Sequence, residues 1–111
     1  MNRRLKIMEI LTVKQFIKEI EDANENILYN VESVDSGSVS LSLNDCKIQT
    51  NPKDGVGGEI TMFKPCTEME VTIDLNIVND ITRDDKDNSY RLEFDNGMSD
   101  VIITPFLHIE V

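Results

Sequence analysis

Apolar and polar residues alternate with two different periods along this chain, and the change between them divides it near residue 26. In "LTVKQFIKEIEDANE" (11–25), Val13, Phe16, Ile17, Ile20 and Ala23 recur at three- and four-residue steps. That spacing gathers them on one face of a helix. Thr12 and Gln15 have capping-box spacing, and Leu11 with Phe16 supplies the hydrophobic staple that fixes the entry of the chain. Glu21, Asp22 and Glu25 sit near the far end, where the helix dipole disfavours negative charge by about a few tenths of a kcal/mol each.

Beyond residue 26 the period is two. "ILYNVESV" (27–34) leads through "DSG" to "SVSLSL" (38–43), where Val39, Leu41 and Leu43 alternate with serines as in a half-buried strand. The apolar phase then moves to even positions, Cys46 and Ile48, and a two-residue hairpin turn at Asn44–Asp45 accounts for the reset. "NPKDGVGG" (51–58) reads as a turn, and "EITMF" (59–63) as a strand ended by Pro65. "EMEVTIDLNI" (68–77) alternates most strictly of all. Met69, Val71, Ile73, Leu75 and Ile77 point one way; Glu68, Glu70, Thr72, Asp74 and Asn76 point the other. "SYRLEF" (89–94) and "SDVIITPFLHIEV" (99–111) flank the turn signal "DNG", and Pro105 suits an edge or a bulge.

The pattern therefore predicts an α+β fold: an N-terminal helix packed on an antiparallel meander of six or seven strands. With 111 residues the chain suits one domain, which buries roughly two-thirds of its unfolded surface. Met8 offers a second start, which sets residues 1–7 apart as an N-terminal extension and leaves 8–111 as the domain.

Charge changes the picture most. The chain has 11 Lys+Arg against 21 Asp+Glu, a net charge of −10. Three of the bases, Arg3, Arg4 and Lys6, precede Met8, so the predicted domain is more acidic than the whole. Such a surface repels nucleic acid and anionic membrane and attracts basic proteins. No apolar run is long enough to span a bilayer. No apolar h-region or small-residue cleavage site follows the basic start, so we expect no secretory signal and a cytoplasmic protein. In that compartment Cys46 and Cys66, without CxxC spacing, are expected to be reduced core thiols.

Four stretches carry candidate chemistry. "DITRDDKDNSYRLEFDNG" (80–97) is dense in carboxylates, but it is no EF-hand: starting at Asp85 puts Tyr90 where glycine is required and Asn96 where the final carboxylate is required. A solvated hairpin loop is the plain reading, with Asp84, Asp85 and Asp87 offering an acidic patch. "DGVGG" lacks the last glycine of GxGxxG and any GK[ST], so it reads as a turn. His108 is the single histidine, too little for a zinc site, and either thiol would have to reach it for nucleophilic chemistry. The polar row of "EMEVTID" is the most suggestive. Alternate strand residues are roughly 6.5–7 Å apart, near the pitch of successive phosphates, so Glu68, Glu70 and Asp74 form a ladder suited to a phosphate-binding groove. An ordinary solvent-facing strand gives the same alternation.

The expectation is a stoichiometric binder rather than an enzyme, with no cofactor and no metal. It would be a small acidic inhibitor, phage or mobile-element encoded, covering the basic nucleic-acid-binding surface of a nuclease in the manner of anti-CRISPR or anti-restriction proteins. An immunity protein against a nuclease toxin, or a non-inhibitory phage or bacterial structural domain, is the alternative. Partner-binding residues would be Glu68, Glu70, Asp74, Asp84, Asp85 and Asp87. Oligomeric state has no signal in the sequence.

Overall fold

The computed structural model describes residues 8–23, 27–35, 38–52, 58–94 and 99–107. These form strand β1 (Met8–Leu11), helix α1 (Val13–Glu21), β2 (Ile27–Asp35), β3 (Ser38–Pro52), β4 (Gly58–Phe63) and β5 (Glu70–Asp74). A single 3-10 turn (Leu75–Ile77) follows, then β6 (Val78–Asp84), β7 (Ser89–Phe94) and β8 (Asp100–Leu107). His108, the glycine loop at 53–57, the "DNG" turn and residues 1–7 lie outside the described residues.

The helix forms where its periodicity places it. Thr12 accepts from the Gln15 amide at 3.0 Å and the Gln15 side chain accepts from the Thr12 amide at 2.8 Å, closing the capping box. Leu11, Phe16, Ile17 and Ile20 are all buried in the core. At the acidic end, Lys18 pairs with Asp22 and Glu21 accepts a hydrogen bond from Thr50, which offsets the unfavourable dipole position.

Among the described residues the sheet is antiparallel throughout and has eight strands rather than six or seven, in the order β1-β6-β7-β8-β2-β3-β4-β5. It is not one meander but two, β2-β3-β4-β5 and β6-β7-β8, joined where β8 pairs with β2. Two strands escaped the sequence pattern. β1 is four residues long, and Glu9 and Ile10 are exposed while Leu11 is buried. β6 overlaps the acidic stretch 80–97, and Ile81 is its one fully buried aliphatic residue.

The phase reset at Asn44–Asp45 is a bulge, not a hairpin. β3 runs unbroken from Ser38 to Pro52. Against β2 its register shifts between Tyr29↔Cys46 and Val31↔Leu43, and Asp45 takes a left-handed φ of 59°. An extra residue in one strand switches which face its side chains meet, as a turn does. Beyond the bulge β3 pairs with β4, so one strand serves both halves of the sheet.

β5 and β6 stand six strand positions apart in this order, yet only Leu75–Ile77 separate them. In a flat sheet that is about 29 Å at the usual strand spacing. The four steps from Asp74 to Val78 reach about 14 Å at most. The sheet must therefore curl on itself, and its concave side holds one core cluster with residues from every strand pair, including Tyr29, Ile60, Leu75, Leu92 and Ile103. The helix seals one end of this curl. β7 enters beside it at Tyr90, whose ring meets Phe16 edge-on at 5.0 Å and 73°. β7 leaves at Phe94, in the wall of a cavity of about 330 Å³ at the other end. No described helix is long and apolar enough to cross a membrane.

Candidate functional site

β5 is the least buried strand. Among the described residues it pairs only with β4, so its second row of backbone groups is unpaired. Its strict alternation marks two faces, but within the apolar row only Leu75 is fully covered. Leu75 is 1% exposed, whereas Met69, Val71 and Ile77 are 49%, 38% and 52% exposed. The predicted strand over 68–77 is thus shortened to Glu70–Asp74. Thr67 donates to the Lys64 carbonyl and accepts from the Met69 amide, which folds the chain before the strand. Asp74 accepts from the Asn76 amide and caps the 3-10 turn after it.

This geometry divides the carboxylate ladder. Glu70 and Asp74 share the outer face of β5, about 13 Å apart by strand rise, with Thr72 between them bonded to Thr61 of β4 at 3.0 Å. Glu68 lies in the preceding turn, exposed and off the strand. Glu59 stands directly opposite Asp74 on β4, adding a carboxylate that the local pattern did not single out. Glu68 and Glu70 line a shallow depression of about 340 Å³ with Phe63, Met69, Thr61 and Gln49. On the opposite, inner face, Val71 and Ile73 line the cavity with Val31, Leu43, Phe94 and Val101, and Thr72 and Asp74 border it along the strand. β5 therefore presents Glu70 outward, apolar surface inward with Asp74 at its border, and free backbone along its edge.

The second acidic patch also builds its own turn. Asp84 accepts from the Lys86 amide and Asp87 from the Ser89 amide, while Asn88 takes a left-handed φ of 59° and donates to the Asp84 carbonyl at 2.8 Å. These bonds build the turn between β6 and β7 and hold the Asp87 carboxyl below the usual carboxylate range, chiefly through Ser89. Asp85 pairs with Arg83. Among the described residues no three His, Cys, Asp or Glu side chains gather to hold a metal.

Arg83 is the centre of a charge cluster that sequence reasoning missed. It pairs with Glu19 of the helix, Glu9 of β1 and Asp85, and Tyr90 donates its hydroxyl to Glu19 at 2.9 Å. The Glu19 hydrogen bond, ahead of the other two carboxylates, raises the guanidinium pKa further. Burial and the bond to Glu19 push the Tyr90 phenol well above its ordinary 10.0. This cluster ties four elements together at the helix end, β1, α1, β6 and β7, and its members are too far apart in sequence for any motif to show it.

Cys46 is a buried core thiol, raised above its ordinary value by desolvation, and both cysteines are free. Cys66, also expected in the core, is exposed instead. It follows Pro65 in the turn between β4 and β5, in a left-handed conformation with φ of 66° that takes it off both strands.

No protein-family model, no curated protein and no solved structure matches the chain.

Proposed function

We propose that this protein is a small acidic inhibitor that binds a basic protein surface, with the nucleic-acid-binding face of a nuclease as the target class. This is the role of anti-restriction and anti-CRISPR proteins encoded by phages and mobile elements. The carrying observation is the disposition of charge. Both described arginines are locked onto carboxylates of their own chain, Arg83 on Glu9, Glu19 and Asp85, and Arg91 on Asp100. Glu68 and Glu70 have no cationic partner among the described residues, and Asp74 bonds only a backbone amide. A protein with a net charge of −10 thus leaves one apolar-floored face acidic and unneutralised. Carboxylates so placed compete with phosphates for Lys and Arg contacts. No catalytic group is required.

Binding to a basic nuclease tests this. Association should weaken steeply with salt, and competing DNA or RNA should displace the protein. The triple substitution Glu68→Gln, Glu70→Gln, Asp74→Asn should weaken binding by about 2–5 kcal/mol where these groups are central to the contact. Affinity that ignores both salt and the triple substitution would refute the proposal.

A further inference from the structure

We infer that β5 is a docking edge for an extended segment of the partner, which adds to the sheet as a further strand carrying alternate apolar and basic residues. This inference rests on the acidic-binder reading and gives it a binding mode. Three independent features of one strand converge on it. The first is backbone. β5 pairs with β4 alone among the described residues, and an unpaired edge is a template for strand addition.

The second feature is the apolar surface behind that edge. Val71 and Ile73 face the inner cavity of about 330 Å³, and Ile77 at its rim is half exposed. An added strand in register with β5 points every second side chain to this side, where apolar residues would cover Val71 and reach Phe94 and Val101.

The third feature is charge, and it selects the occupant. The intervening side chains of an added strand fall on the outer face, beside Glu70 and Asp74. A second copy of this chain is disfavoured there. Two β5 strands paired antiparallel about Thr72 would set Glu70 of each opposite Asp74 of the other, and like charges directly opposite are destabilising. Charge at an edge is the usual guard against such pairing. Lys or Arg at those positions turns the guard into an attraction. The sequence class that fits is therefore basic on one face and apolar on the other, at a period of two.

The probes are synthetic: a nine-residue peptide alternating Lys with Val, an isomer of the same composition with its lysines in one block, and poly-lysine. Each is titrated into the full-length chain labelled for NMR. The alternating peptide should shift the amides of 70–74 saturably, slow their hydrogen exchange and bind at least tenfold more tightly than its isomer. Glu70→Lys, on an exposed residue, should weaken it at least tenfold, and Val71→Asp likewise. Equal binding of the isomer, or shifts centred on the β6–β7 turn, would overturn strand addition while the acidic-binder reading stands. Failure of poly-lysine as well would overturn both. Protection of β5 at high protein concentration without peptide would make a second copy the occupant and overturn the proposal.

Discussion

Glu19 and Glu70 are glutamates of one acidic chain in opposite circumstances. Glu19 accepts from Arg83 and from Tyr90, across more than sixty residues of sequence, and fastens the helix to β6 and β7. Glu70 stands on an unpaired edge with solvent around it. The same contrast holds for apolar residues. Phe16 is fully buried against Tyr90, whereas Val71, on a strand with stricter alternation, is 38% exposed. The helix end is built to hold the fold, and the β5 end is built with its interactions unfilled. Carboxylates therefore stand in two different settings here, and composition alone does not separate them.

Stability measurements should reproduce the contrast, and the largest effect belongs to packing. Phe16→Ala should cost about 3–5 kcal/mol in denaturant unfolding, from lost burial and the cavity left behind. Val71→Ala should cost under about 1 kcal/mol, since its site is half open. Similar losses for the two would erase the distinction between the ends.

Next comes the charge cluster. Arg83, with a side chain 22% exposed, holds three carboxylates. Arg83→Met should cost about 2 kcal/mol, between the values for exposed and buried pairs, because Glu19 and Glu9 are left facing each other uncompensated. The triple neutralisation at Glu68, Glu70 and Asp74 should move stability by no more than about 0.5 kcal/mol, as at other exposed sites. A large loss there would assign those carboxylates to the fold and remove them from the proposed contact.

Alkaline pH offers a third test. Tyr90 keeps its proton in the folded protein to a higher pH than in the unfolded chain, whose phenol ionises near 10.0. Its contribution is complete below that value and declines as pH rises beyond it, because the unfolded state alone then gains by losing the proton. Unfolding midpoints should fall between pH 9 and 11, and fall less in Tyr90→Phe, with Tyr29 supplying a residual slope. An unchanged slope would separate the phenol from the cluster. The smallest expected effect is that of millimolar calcium, which should leave the melting temperature unchanged. A site occupied at a hundred times its dissociation constant would instead add about 2.7 kcal/mol.

What the sequence disclosed follows the range of the interactions involved. The helix was legible in full because its apolar face, capping box and staple are all written within eleven residues. The bulge was legible as an event but not as a kind, since a turn and an extra residue shift phase alike. β5 was legible as a strand and mistaken in its length and cover: alternation says which side chains share a face and nothing about whether a neighbour lies over it. β6 was hidden because its inward residue at position 83 is an arginine, admitted there only by Glu19 and Glu9 from the other end of the chain. The acidic turn showed the same limit. Asp84, Asp85 and Asp87 were visible as charges, but not as acceptors for their own loop and for Arg83.

The pairing of β1 with β6 sets an order of assembly. Met8 lies opposite Asp84, so the first described strand has no neighbour until the sixth has been made. During synthesis the helix can form from its own caps and meet β3, where Glu21 accepts from Thr50, but Phe16 finds Tyr90 only once β7 has been made. The two meanders close local loops cheaply, whereas the β1–β6 ladder closes a loop across most of the chain. The β2–β8 ladder closes a loop of similar length, so both long-range ladders wait for distal strands, and Arg83 on β6 there meets Glu9 of β1 and Glu19 of the helix.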